Sequence, residues 1–82
     1  MSEITGAQIR AARALLRWTA EDLAKSASVG LMTVRRAEAE DGAPSITTAN
    51  LKLIRLTLEG AGIEFIPENG GGVGIRFKRP TT

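Results

Sequence analysis

From Ala7 to Arg17 the apolar and charged positions recur with a helical period. At about 100° per residue, Ile9, Ala12 and Leu16 form one apolar stripe, and Arg10, Arg13 and Arg17 run together along its flank. Just upstream, Thr5-Gly6-Ala7-Gln8 has the form of a capping box, in which the Thr hydroxyl accepts from a first-turn amide and the Gln side chain reaches back. An amphipathic first helix with a basic edge is predicted. Thr19 follows as an N-cap, with Glu21 and Asp22 in the first turn, where carboxylates favour the positive end of the helix dipole. A short second helix from Ala20 to Ala27 follows from this. Ser28-Val29-Gly30 interrupts the pattern, and Leu31 to Glu40 resumes it. Val34 and Ala37 fall on the inner side, Leu31, Met32, Arg35 and Arg36 point away, and Glu40 lies at the far end.

Glu40-Asp41-Gly42-Ala43-Pro44-Ser45 ends that helix in a loop, after which Thr47 or Thr48 caps a fourth helix reaching Glu59, with Gly60 and Gly62 as its stop. Leu51, Ile54 and Leu58 share one face of it. Ala49, Leu53 and Leu56 lie nearly opposite, leaving Lys52, Arg55 and Glu59 as a narrow wet stripe. Two apolar faces on one helix require a second cover. Ile63–Ile66 and Val73–Lys78 read as strands separated by the turn material Pro67 to Gly72, so a C-terminal β-hairpin is expected. Val73, Ile75 and Phe77 share one side of the last strand and, with Phe65, are the expected cover for Leu53 and Leu56, within one chain or across a dimer axis. The organisation is thus residues 1–62 as a helical domain and 63–82 as a hairpin extension of the same unit, ending in a frayed tail from Arg79 to Thr82.

Composition narrows the function classes. Eighty-two residues make one small domain without room for a deep enzyme pocket. Zero Cys and zero His remove disulfides, thiol nucleophiles, imidazole bases and the usual zinc and haem ligands. Glu38, Glu40 and Asp41 lack the alternate spacing of a calcium loop, and the glycines of residues 70–74 are followed by neither Lys-Ser/Thr nor a helix, so no metal, cofactor or phosphate cradle is assigned. No stretch reaches the roughly 18 apolar residues of a membrane span and no secretory leader is evident, so a soluble, cytoplasmic protein without enzymatic activity is expected. Net charge is only +2, and the pI near 9.7 follows from the lack of groups that titrate near neutrality. Placement of the bases therefore matters more than their number.

A capped short helix, a three-residue turn and a second helix with a basic outer face form a helix-turn-helix arrangement. The stretch from Ala7 to Gly42 resembles the XRE family of transcriptional regulators, the Cro and phage-repressor type, with weaker support to Leu58. The likeness rests on Ile9-Arg10-Ala11-Ala12-Arg13, on Leu16 through Ala24, on Ala27-Ser28-Val29, on Thr33-Val34 and on Arg36-Ala37-Glu38-Ala39. It implies a mainly α, lambda-repressor-like four-helix domain, here with the added hairpin. It also implies base readout by Leu31, Met32 and Arg36, with Thr19, Thr33, Arg35, Arg10 and Arg17 against the DNA backbone or base edges. By the same resemblance Arg13 and Glu38 form a partly buried ion pair tying the first helix to the third. Ala20 stands where the family usually has a DNA-touching Gln, Ser28 where a turn Gly is usual, and apolar Leu31 and Met32 where polar readers are expected.

Two functions follow from different classes. One is a homodimeric regulator, most simply a repressor, that binds double-stranded DNA at a palindromic operator, with Leu53, Leu56, Phe65, Val73, Ile75 and Phe77 as dimer-interface candidates. The alternative is an antitoxin or antiactivator that uses Leu31 and Met32 to bind a protein partner. Trp18 reads as a core residue in either case, since a lone aromatic ahead of a helix cap closes a core more often than it stacks on bases.

Overall fold

The computed structural model describes residues 3–79 as four helices followed by an antiparallel hairpin: α1 (Gly6–Leu16), α2 (Ala20–Ala27), α3 (Leu31–Ala39), α4 (Thr48–Gly60), β1 (Ile63–Ile66) and β2 (Gly74–Phe77). The frayed tail expected at Pro80, Thr81 and Thr82 lies outside the described residues.

Local chemistry accounts for the helix ends. Thr5 caps α1 through a capping box: its hydroxyl accepts from the Gln8 amide at 3.1 Å, and its own amide donates to Gln8 Oε1 at 2.8 Å. Thr19 caps α2 in the same way with Asp22, and the Thr47 hydroxyl accepts from the Asn50 amide to cap α4. Both α1 and α2 close on a left-handed residue, Arg17 and Ser28, each with φ 58°. Glycine takes that conformation without a Cβ penalty; at Ser28 it costs on the order of 1 kcal/mol. Gly62, at φ 107°, turns the chain from α4 into β1.

The core is the set of inward faces. Ile9 and Ala12 of α1, Leu23 of α2, Val34 and Ala37 of α3, Ile54 and Leu58 of α4 and Ile63 of β1 are fully buried. Each large aliphatic among them contributes about 1.5 to 3 kcal/mol by leaving water. Trp18 is half-buried against this core, as its position ahead of α2 predicts.

In the hairpin, Ile63 pairs with Phe77, Glu64 with Arg76, Phe65 with Ile75 and Ile66 with Gly74. Side chains alternate across a strand, so Ile63, Phe65, Ile75 and Phe77 face the helices while Glu64 and Arg76 form an ion pair at 3.1 Å on the exposed side. That bond holds the Glu64 carboxyl below the ordinary carboxylate range. β2 lies against α1 and β1 against α4.

This placement corrects the expected cover for α4. Phe65, Ile75 and Phe77 pack onto the inner core, leaving Leu53 and Leu56 at 43% and 49% exposure. The register explains it: the hairpin docks by the same face that carries Ile63, which is buried beside the inner side of α4. Val73 lies outside the strand, exposed before Gly74, whereas the Lys78 amide prolongs the pairing by donating to the Gly62 carbonyl at 2.8 Å. The wet stripe of α4 is also narrower than its wheel implies. Arg55 is half-buried beside Phe65 and Gln8, and its Nε finds no hydrogen-bond partner among the described residues.

Gln8 holds the hairpin to α1. It is 4% exposed; its carboxamide nitrogen donates to the Gly74 carbonyl at 2.8 Å and the Ile66 carbonyl at 3.3 Å, while its oxygen serves the Thr5 cap. One side chain satisfies a helix start and bridges the last pair of both strands.

Candidate nucleic-acid interface

α2 and α3 are joined by Ser28-Val29-Gly30, the turn of the expected helix-turn-helix arrangement. The Val29 amide donates to the Ala24 carbonyl at 3.0 Å and the Ser28 amide to Lys25 at 3.2 Å, closing α2 around the left-handed Ser28. Gly30 then caps α3 without a side-chain bond. Val34 and Ala37 bury α3 against the core, and this fixes what its other face presents.

That face carries Met32, 60% exposed, with Arg35 and Arg36 also exposed. Thr33 and Arg36 line one wall of a shallow open groove of about 460 Å³, and Ser45, Ile46, Thr47 and Asn50, at the start of α4, line the other. Arginine guanidiniums are planar donors suited to phosphate and to guanine edges. Neither Arg35 nor Arg36 has a carboxylate within ion-pairing distance among the described residues, so both donor sets face solvent. Leu31 is different. It is half-buried and packs on the core, against the expectation that it points away with Met32; as the first residue of α3 it fills the corner beside Gly30.

The three arginines of α1 separate into distinct roles. Arg13 donates from Nε and Nη2 to the two carboxylate oxygens of Glu38, at 2.6 and 2.9 Å, and from Nη1 to the Trp18 carbonyl at 2.9 Å. This bidentate pair, 22% and 10% exposed, ties α1 to α3 and to the link before α2, and raises the Arg13 pKa through its hydrogen bonds to Glu38. Arg10, expected against the DNA backbone or a base edge, donates within the chain to the Glu38 carbonyl at 2.5 Å and pairs with Asp41. It fastens the loop after α3. Arg17 is exposed and has no carboxylate partner among the described residues, so of the α1 flank it alone offers a free cation.

A contact no sequence pattern announces sets the position of α3 on α1. The Gly6 amide donates to the Gly42 carbonyl at 2.9 Å and Ala7 to Asp41 at 3.4 Å, so the first amides of α1 are satisfied by the loop leaving α3. A Cβ at Gly6 would lie 2.6 Å from the Ala37 carbonyl oxygen and closer still to that of Glu40. The α1 start and the α3 end meet backbone to backbone.

At the α2 start, Thr19 is engaged in its own cap: its hydroxyl accepts from the Asp22 amide at 3.0 Å, and its amide donates to the Asp22 carboxylate at 2.9 Å. The backbone bond from Thr19 holds Asp22 below its ordinary pKa. With Glu21 beside it, this helix start carries negative charge where an anion would otherwise be received. Among the described residues no group of three or more Asp or Glu is placed to hold a metal, and no helix is long and apolar enough to cross a membrane. No protein-family model and no curated protein matches the chain.

Proposed function

We propose that this chain is a sequence-specific double-stranded DNA-binding protein of the lambda-repressor-like, XRE type, acting as a homodimeric transcriptional regulator without catalysis of its own. One observation carries the reading: α3 is held on the core by Val34 and Ala37 and presents Met32, Arg35 and Arg36 outward, with no internal partner among the described residues. In this reading Arg36 reads guanine, Met32 meets thymine methyls, and Arg35, Thr33 and Arg17 hold phosphates or base edges. Leu31 supports the helix from within, and Arg10 steadies the loop behind it. One domain covers one half-site, so useful affinity calls for a second copy about a two-fold axis.

Selection of bound fragments from genomic DNA, followed by binding assays on the recovered site, tests this. Arg36→Ala is expected to cost about 1 to 3 kcal/mol and to relax preference at one base pair per half-site, while Arg17→Gln lowers the salt slope without changing the preferred sequence. No enriched site, or a flat response to salt, refutes the reading. A protein-binding module is the second reading, favoured by the exposure of Met32 and the acidic start of α2. It predicts no site enrichment together with loss of a partner on Met32→Asp.

A further inference from the structure

Among the described residues nothing covers the outer face of α4, yet it is not polar. Ala49, Leu53, Leu56 and Gly60 stand on the side opposite Leu51, Ile54 and Leu58, and all four are exposed. Their spacing is four, three and four residues, in the order small, large, large, small. That order reads the same from either end of the helix.

We infer that this stripe is a self-complementary dimer surface on which α4 packs antiparallel against α4 of a second copy of the chain. In a two-fold interface each contact occurs twice, with the roles of the residues exchanged. An antiparallel pair centred between Leu53 and Leu56 sets Leu53 against Leu56 of the other copy, and Ala49 against its Gly60, so that two leucine knobs fill the middle while the ends are small enough for close backbone approach.

The flanks agree with the same register. Lys52 and Glu59 border the stripe on one side, Asn50 and Thr57 on the other. Antiparallel pairing brings Lys52 to within about 3 Å, along the axis, of the level of Glu59 on the other copy, twice over, and antiparallel dipoles favour the arrangement. Neither Lys52 nor Glu59 has an ion-pair partner among the described residues of its own chain. The hairpin does not compete for the face, since its apolar side chains are packed inward. One helix pair buries less than the roughly 800 Å² per partner of a standard interface, so the dimer is concentration-dependent. This deepens the homodimeric reading above. It is tested without DNA, so a failed dimer and a failed DNA interaction give separate signals.

Sedimentation equilibrium of the whole chain between about 10 and 500 µM should show a monomer–dimer equilibrium, and Leu56→Asp should weaken it at least 100-fold. Leu56 is exposed in the monomer, so the variant's circular dichroism should be unchanged. Wild type that remains monomeric throughout, or a folded Leu56→Asp that still dimerises, overturns the proposal. Register is read by oxidation with copper phenanthroline, because the native chain contains no cysteine. Gly60 has open space around its Cβ position and Ala49 is exposed, so both accept Cys. Mixed Ala49→Cys and Gly60→Cys chains should cross-link, whereas each alone should not, since like positions lie about 16 Å apart along the axis, beyond disulfide reach. Cross-linking of Ala49→Cys with itself, or no cross-link in the mixture, overturns the register.

Discussion

Replacing Gly6 by alanine should destabilise the protein, although alanine is the better helix former by up to about 1 kcal/mol. The added methyl would lie 2.6 Å from the Ala37 carbonyl oxygen and nearer still to that of Glu40, both backbone atoms that no rotamer change can move. Ordinary contact requires more than 3 Å, so the start of α1 must withdraw from the end of α3. That movement stretches the bonds from Gly6 to Gly42, from Ala7 to Asp41 and from Arg10 to the Glu38 carbonyl. Overpacking of this kind costs roughly 1 to 3 kcal/mol, and each weakened bond about 1 more, against the propensity gain. A net loss of about 2 to 4 kcal/mol is expected. For a domain of this size that is a large share of its stability, and with a urea slope near 1 kcal/mol/M the midpoint should fall by about 2 M or more. Gly71→Ala, whose Cβ position has no atom within 4 Å, is the control and should be neutral or slightly stabilising. Gly6→Ala with an unchanged or higher midpoint would refute the backbone-to-backbone contact.

Three further outcomes follow from the fold. Ser28→Gly should raise stability by about 1 kcal/mol in thermal melts, because the left-handed backbone at that position penalises a side chain. Gln8→Glu should loosen the hairpin, since a carboxylate would face the Ile66 and Gly74 carbonyls; faster amide exchange in β1 and β2, with α2 and α3 unchanged, is the measurement. Asp22 has a lowered native pKa, so the stability it contributes is complete above the unfolded carboxylate range and is lost as pH falls through its native value. Asp22→Asn should therefore flatten the acid limb of a melting-temperature profile, and an unchanged limb would remove Asp22 as its source.

What could be read along the chain was what its near neighbours decide. The caps at Thr5, Thr19 and Thr47 involve partners three residues away, so the helix starts carry their own signature. The period of Val34 and Ala37 assigns the inner face of α3. The bond from Arg10 to a loop 31 residues away carries no signal in the sequence, because a basic flank looks the same whatever it meets. Leu31 misled because a residue in the first turn of a short helix can lean either way from its wheel position. The buried Gln8 had no signal beyond its capping role, as its other partners lie 58 and 66 residues downstream. Proximity of Gly6 to Glu40 is likewise a property of two helices meeting, not of either one.

The separation of the Gln8 partners also orders assembly in time. A chain made from its amino end exposes Thr5 and Gln8 early, and the box between them can close while the acceptors at Ile66 and Gly74 do not yet exist. Until they emerge, the Gln8 carboxamide is hydrated and the side of α1 that will receive β2 is wet, while α2 and α3 can already pair through a three-residue link. Desolvation of Gln8 is therefore a late event: water leaves that amide only when both strands arrive. A probe of its solvation would report completion of the whole domain, whereas helix content alone would register much earlier.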